Sequence, residues 1–224
     1  MNTTAQRRAV SDLREALREI HMAAGLEETA SNPYSSPICL GVTSPNRGDG
    51  KTTMAMALAS SLTNDFGVDV MLVDADLHSH SVAREYGLEN EAGLTDVIAG
   101  NTNLDSVRHY IPSAKMSVIT AGRVSGDPSG IARSDRLAEL LDLVKNSTQY
   151  VVLDLPATLN SMTAPILARR TDGVVVVVRA GKTSQADLDR TLYLLRDVRV
   201  LGVVINRSTT RVPGWVERAL NLRP

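Results

Sequence analysis

Ten residues constrain this chain more than any other stretch: Ser44-Pro45-Asn46-Arg47-Gly48-Asp49-Gly50-Lys51-Thr52-Thr53. The apolar run Ile38-Cys39-Leu40-Gly41-Val42 leads into them, and a small-residue helical stretch, Met54 to Leu62, leads out. Strand, loop, then Gly-Lys-Thr opening a helix is the local order that a phosphate-binding loop needs. Backbone N–H groups of such a loop point at phosphate oxygens, and the helix N-terminus adds the positive end of its dipole. On this reading Gly48, Asp49, Gly50, Lys51, Thr52 and Thr53 hold a nucleotide. Lys51 reaches the β- and γ-phosphates and the Thr52 hydroxyl ligates Mg²⁺. One position departs from the consensus: Pro45 stands where a glycine is usual.

A loop of this kind sits on a sheet buried on both faces, and the chain can build one. It has 224 residues, 43% of them hydrophobic but only 3% aromatic, so the core is Val, Leu, Ile, Ala and Met. We read a single nucleotide-binding domain, with residues 1–37 as an N-terminal helix and linker and 38–224 as the core. A net charge of -1 gives no bulk electrostatic case for nucleic acid or an anionic membrane. The single cysteine, Cys39, excludes an internal disulfide and a multi-cysteine zinc site, and fits a reducing cytoplasm. No apolar run approaches the roughly 18 residues of a membrane span, and Met1 to Arg8 do not open a secretory signal.

In chain order, Val10, Leu13, Leu17 and Ile20 recur at helical spacing over residues 5–24, and Ser31 to Pro37 form a linker. The spacing predicts strands at Val68–Val73, Met116–Thr120, Tyr150–Leu153, Gly173–Arg179 and Val200–Ile205. It predicts helices at Ile131–Lys145, Met162–Arg170, Gln185–Asp197 and 213–221. Residues 77–112 read as irregular apart from a short helix within Gly93 to Gly100, and Gly122 to Gly130 as a loop. The five valines of Gly173–Arg179 mark a parallel strand buried on both faces. Alternating strands and helices give an α/β, doubly wound, mostly parallel sheet of P-loop NTPase type, with an N-terminal helix outside the core. Its active loops lie at the carboxyl ends of the strands.

Three acids fall there. Asp74 and Asp76 follow the second strand, and Asp154 follows Tyr150–Leu153. A nucleotide-bound Mg²⁺ takes one or two carboxylates, and phosphoryl transfer or hydrolysis also uses one to position or deprotonate the nucleophile.

These residues carry a family resemblance. Asp74-Ala75-Asp76 after Val70 to Val73, and Asp154-Leu155-Pro156 after Val151 to Leu153, resemble the second and third acidic motifs of the bacterial tyrosine autokinases, the BY-kinases. Asp127-Pro128-Ser129, Asp172-Gly173, Gly181-Lys182-Thr183 and Val203 to Asn206 continue the match in order. Glu15, Arg18 and His21 resemble the Glu-x-x-Arg-x-x-Arg helix through which those kinases form rings. The resemblance implies ATP and Mg²⁺ as cofactors and protein-tyrosine kinase/ATPase activity in capsule or exopolysaccharide polymerisation and export. Its implied partner is a membrane-spanning chain-length regulator, at the inner face of the plasma membrane. It also implies homo-oligomers through the Glu15/Arg18 helix. On this basis Lys51, Asp74 and Asp76 are the catalytic residues, Asp74 taking the tyrosine hydroxyl proton. Thr52, Asp154 and Asp76 hold or support the metal, and Asn206 bonds adenine.

The chain departs from the family at Arg47-Gly48-Asp49, at His78 where arginine is usual, at Leu155 and Ala157, and in having no tyrosine after Tyr193. Two further readings follow. One is a catalytically weakened nucleotide-dependent scaffold of the same machinery. The other is a partitioning or division-site ATPase, although those carry lysine at the position of Asn46. His78 and His80, two apart, are a sparse candidate metal pair, and Tyr34, Tyr86 and Tyr110 are candidate phosphoacceptors. Arg7-Arg8 and Arg169-Arg170 read as solvated basic pairs.

Overall fold

A computed structural model describes residues 37–123 and 127–207. The predicted helices at 5–24 and 213–221, Tyr34, the Arg7-Arg8 pair and the Glu15/Arg18/His21 motif lie outside these residues.

Strand β1 (Ile38–Thr43) feeds the loop and then helix α1 (Lys51–Phe66). Strand β2 (Val70–Asp74) is buried at every position, as its unbroken apolar run requires. Helices α2 (Ser81–Tyr86) and α3 (Leu94–Ile98), a 3₁₀ turn and strand β3 (His109–Ile111) occupy the segment read as mostly irregular. These elements are too short for periodicity to separate them from turns. Strand β4 (Met116–Ile119) follows. The helix expected over 131–145 is two helices, α4 (Pro128–Arg133) and α5 (Asp135–Asn146). Asp127 caps α4 by accepting from the Ser129 and Gly130 amides, and Pro128 takes the first helical position. Ser134 then leaves helical geometry at ψ 143° and caps α5 by accepting from the Leu137 amide. An apolar pattern runs through such a break unchanged.

Strand β5 (Tyr150–Asp154), helix α6 (Thr163–Ala168), strand β6 (Gly173–Arg179), helix α7 (Gln185–Leu194) and strand β7 (Val200–Asn206) complete the described chain. The seven strands are ordered β3-β4-β2-β5-β1-β6-β7, parallel except for β3, which is antiparallel to β4. One core cluster packs α1 and Val82 of α2 on one face of the sheet. The other joins α3, α4, α5, α6 and α7 on the opposite face. The expected doubly wound, mostly parallel sheet is therefore the fold observed.

What matters for the site is the position of β5 between β1 and β2. Its register sets Asp154 beside Asp74 on one side and Val42 on the other. Further along the same rim, a Cβ added to Gly93 would run into the Gly122 amide and the Thr120 carbonyl, so the 93–100 turn packs backbone to backbone on the end of β4.

Candidate active site

The loop from Ser44 to Gly50 is shaped by its own polar groups. The Asp49 side chain, 3% exposed, turns inward and accepts from the Asn46 amide at 2.9 Å. The Arg47 amide donates to Asn160 Oδ1 at 3.1 Å, and the Asn46 side chain donates to Asp187 Oδ2 at 3.2 Å. The Ser44 and Pro45 carbonyls accept from the Thr158 and Leu159 amides. Pro45 has no N–H to lose, and its carbonyl is tied down. Asn206 Nδ2 donates to the Asp49 carbonyl at 2.8 Å and its Oδ1 accepts from the Arg207 amide. The first half of the loop thus uses its donors on protein.

The second half does not. Gly48 and Gly50 are left-handed, at φ 85° and 106°, which aims the chain into α1. The Lys51, Thr52 and Thr53 amides begin the helix with no intrahelical acceptor, and no acid sits in that first turn to compete for them. A Gly50→Ala variant is strained at this φ, and its Cβ meets the Asn206 side chain. We expect it to weaken ADP binding at least about tenfold in calorimetry, with little change in unfolding outside the loop.

Lys51 Nζ lies 2.7 Å from Asp76 Oδ2 and 3.8 Å from Asp154 Oδ1, and donates to Thr52 Oγ1 at 3.2 Å. Asp74 Oδ1 accepts from the Asp76 amide at 3.1 Å, and Asp76 Oδ1 from the His78 amide at 3.3 Å. Asp74 Oδ2 and both Asp154 oxygens are buried without a hydrogen-bond partner. Burial, joined by the Asp154 and Asp76 charges, pushes Asp74 well above the usual carboxylate range. Burial also pushes Asp154 up, to about 6, against the pull of Lys51 and the Thr52 hydroxyl. Burial alone would lower the Lys51 pKa, but Asp154 and Asp76 outweigh it and the net shift is upward. Three carboxylates therefore share one ammonium in a nearly dry place.

Orphaned acid oxygens beside the Thr52 hydroxyl suit a divalent cation. Among the described residues no three acids, histidines or cysteines converge as a cage. That fits Mg²⁺, which keeps waters and phosphates and takes few protein ligands. A cleft of about 420 Å³ opens over the loop, lined by Gly48, Gly50 to Thr53 and Asp76 and, from α2 and the turn before it, by Ser79, Ser81, Arg84 and Glu85.

Lys51, Asp74, Asp76, Asp154 and Thr52 are thus together, with Gly48 to Thr53 around them. Asn206 reaches the same loop, though its side chain is engaged by protein. His78 is exposed, and His80 begins α2 in a left-handed turn. Tyr86 packs half-buried on the α1-side core, whereas Tyr110 is 63% exposed on the sheet edge. Arg169 is ion-paired with Asp197. Sequence reading missed Asn160, Thr158, Asp187 and Arg84. Only Asp187 carried a local signal, the capping box it forms with Ser184.

The ParA family model, described as the NUBPL iron-transfer P-loop NTPase, matches residues 38–219. The chain belongs to the ParA family of P-loop NTPases. Within that family its relatives bear out the resemblance to bacterial tyrosine kinases. EpsB of Ralstonia solanacearum is 29% identical over 194 residues, or 86% of this chain. The tyrosine-protein kinase YwqD of Bacillus subtilis is 29% identical over 167 residues, or 74%. This ParA-family chain spans 25% of EpsB and 70% of YwqD. The crystal structure of the VpsO kinase domain superposes with a TM-score of 0.74 at 26% identity, covering 88% of this chain and 98% of that one. Among the described residues no helix is long and apolar enough to cross a membrane.

Proposed function

We propose that this chain binds ATP with Mg²⁺ and transfers the γ-phosphoryl group to a tyrosine hydroxyl, regulating exopolysaccharide or capsule polymerisation and export. One observation carries the reading: the ends of β2 and β5 hold three buried carboxylates around the P-loop lysine, with Asp74 Oδ2 orphaned. Simple phosphate binding has no use for so much buried negative charge. Gly48 to Thr53 would hold the phosphates. Asn206 would steady the loop and, by exchanging its bond to Asp49, meet adenine. Thr52 and Asp154 would hold Mg²⁺, with Asp76 in support; the ion supplies charge neutralisation on the β- and γ-oxygens. Lys51 would leave Asp76 for the phosphates. The tyrosine oxygen bonds to the γ-phosphorus as the bond to the β–γ bridging oxygen breaks. The hydroxyl proton passes to Asp74, and ADP leaves with the bridging oxygen. A carboxylate held well above its ordinary range by burial is a fitting acceptor.

The acceptor would be a membrane-spanning chain-length regulator, which would also hold the protein peripherally at the inner face of the membrane. Copies would associate through the Glu15/Arg18 helix. Iron transfer is disfavoured because the one cysteine, Cys39, is buried and its thiol is pushed up to about 12 by that burial.

The test is transfer of labelled γ-phosphate to a tyrosine peptide. Asp74→Asn should cut transfer roughly a hundredfold while ADP still binds. Nucleotide binding by the unaltered protein without any phosphotyrosine, on peptide or regulator, would replace this reading with a nucleotide-dependent scaffold.

A further inference from the structure

The cleft is lined not only by the P-loop but by a second element, α2, and the turn before it. Helix α2 is pinned to the core by Val82 and Ala83, 0% and 3% exposed. Its start is set by the left-handed His80, and the Arg84 amide donates to the His80 carbonyl. This fixes Arg84 and Glu85 on the outer side, both exposed and both lining the cleft. Adjacent residues on a helix are poorly placed to pair, and Glu85 forms no ion pair with Arg84 among the described residues. Among the described residues the Arg84 side chain makes no ion pair, and its hydrogen bond is a long 3.5 Å donation to the Ser79 carbonyl. The cleft's other guanidiniums, Arg47 and Arg207, belong to the phosphate loop and to the residue after Asn206.

In-line transfer needs the attacking oxygen on the far side of the γ-phosphorus from the leaving ADP. With ADP along the P-loop, an acceptor entering this cleft would pass α2 and Arg84. We infer that Arg84 is the acceptor-specificity residue, selecting tyrosines flanked by acidic residues. This rests on the kinase reading above. A planar, unpaired guanidinium held on a rigid helix is suited to a carboxylate, and its worth at an exposed site is a severalfold preference.

The experiment compares three peptides that differ only in the residues flanking one tyrosine: glutamate, alanine or lysine. For the unaltered protein, KM for the Glu-flanked peptide should be about three- to tenfold lower than for the Lys-flanked one. Arg84→Lys should keep that order and Arg84→Glu should reverse it, with ATP affinity, measured separately by calorimetry, within about twofold. Arg84 is exposed, so both variants should keep the thermal midpoint. The inference is overturned if Arg84→Glu ranks the peptides as the unaltered protein does. It is also overturned if Arg84→Glu weakens ATP as much as peptide, which would assign the arginine to the nucleotide. Transfer by the unaltered protein to none of the three peptides would instead bring down the kinase reading, and this inference with it.

Discussion

Replacing Lys51 with methionine should abolish nucleotide turnover and, at pH 8, lower the thermal midpoint of the nucleotide-free protein by about 10 °C. The functional part follows from charge: the lysine is the ammonium of the phosphate loop, and transfer depends on positioning and neutralising phosphate oxygens. Nucleotide affinity should fall at least tenfold, the worth of a lost charge-assisted hydrogen bond. The stability part is less usual for a ligand-binding residue. Lys51 is the cation that pairs with both Asp76 and Asp154, at 2.7 and 3.8 Å, with its side chain 9% exposed. Removing one partner of a buried pair leaves charge that nothing offsets, at a cost of about 3–5 kcal/mol. The acids would respond by protonating. The folded pKa values of Asp74 and Asp154, already raised, would rise further above the unfolded ones. The folded state then binds more protons than the unfolded state, and the variant gains stability as pH falls from 8 toward 5. Calorimetric melts across that range test this. A midpoint matching that of the unaltered protein at every pH would show that Lys51 does not hold the acids together.

The second expectation has the same functional sign and the opposite stability sign. Asp154→Asn should reduce transfer by about a thousandfold, as expected when a metal-holding carboxylate worth several kcal/mol is lost. Yet the nucleotide-free variant should melt higher than the unaltered protein near pH 7.5. Asp154 is fully buried, its oxygens lack hydrogen-bond partners, and its pKa stands at about 6. A carboxylate raised from about 4 to that value destabilises the ionised fold by about 2–3 kcal/mol. Asparagine has the same shape without the charge, so the gain is about 5–10 °C for a chain of this size. The effect should shrink below pH 6, where the unaltered residue takes up its own proton. A variant that melts lower at pH 7.5 would mean that Asp154 is a structural anion. Measured together, Lys51→Met and Asp154→Asn distinguish a site that stores electrostatic strain for function from an ordinary ion pair, for which both changes would destabilise.

The phosphate loop is legible in the amino-acid sequence because its parts are adjacent in the chain. Gly48, Gly50, Lys51 and Thr52 do their work through backbone shape and the first turn of one helix, and both are local. The class of fold is legible for a related reason: buried parallel strands are continuous apolar runs, as Val70 to Val73 and the valines of β6 show. The break at Ser134 is not legible, because one serine cap interrupts a helix without interrupting its apolar face. Nor are α2 and β3, each shorter than two of its own periods.

The acids show where local reading ends. That Asp74, Asp76 and Asp154 close strands is plain from the sequence. That Asp154 stands between the P-loop strand and Asp74 is not, since it depends on β5 inserting between β1 and β2. Strand order is a long-range pairing that no short window encodes. From it come the shared ammonium, the orphaned oxygens and the raised pKa values, all products of burial. The tie from Asn206 to the Asp49 carbonyl and the placement of Arg84 in the cleft are likewise products of the folded chain. Which residues meet the phosphates follows from the order of amino acids alone, because one continuous turn of backbone suffices for that. How much charge is buried beside them, and on which cation it rests, follows only from the folded chain, because distant strand ends had to be brought together out of water.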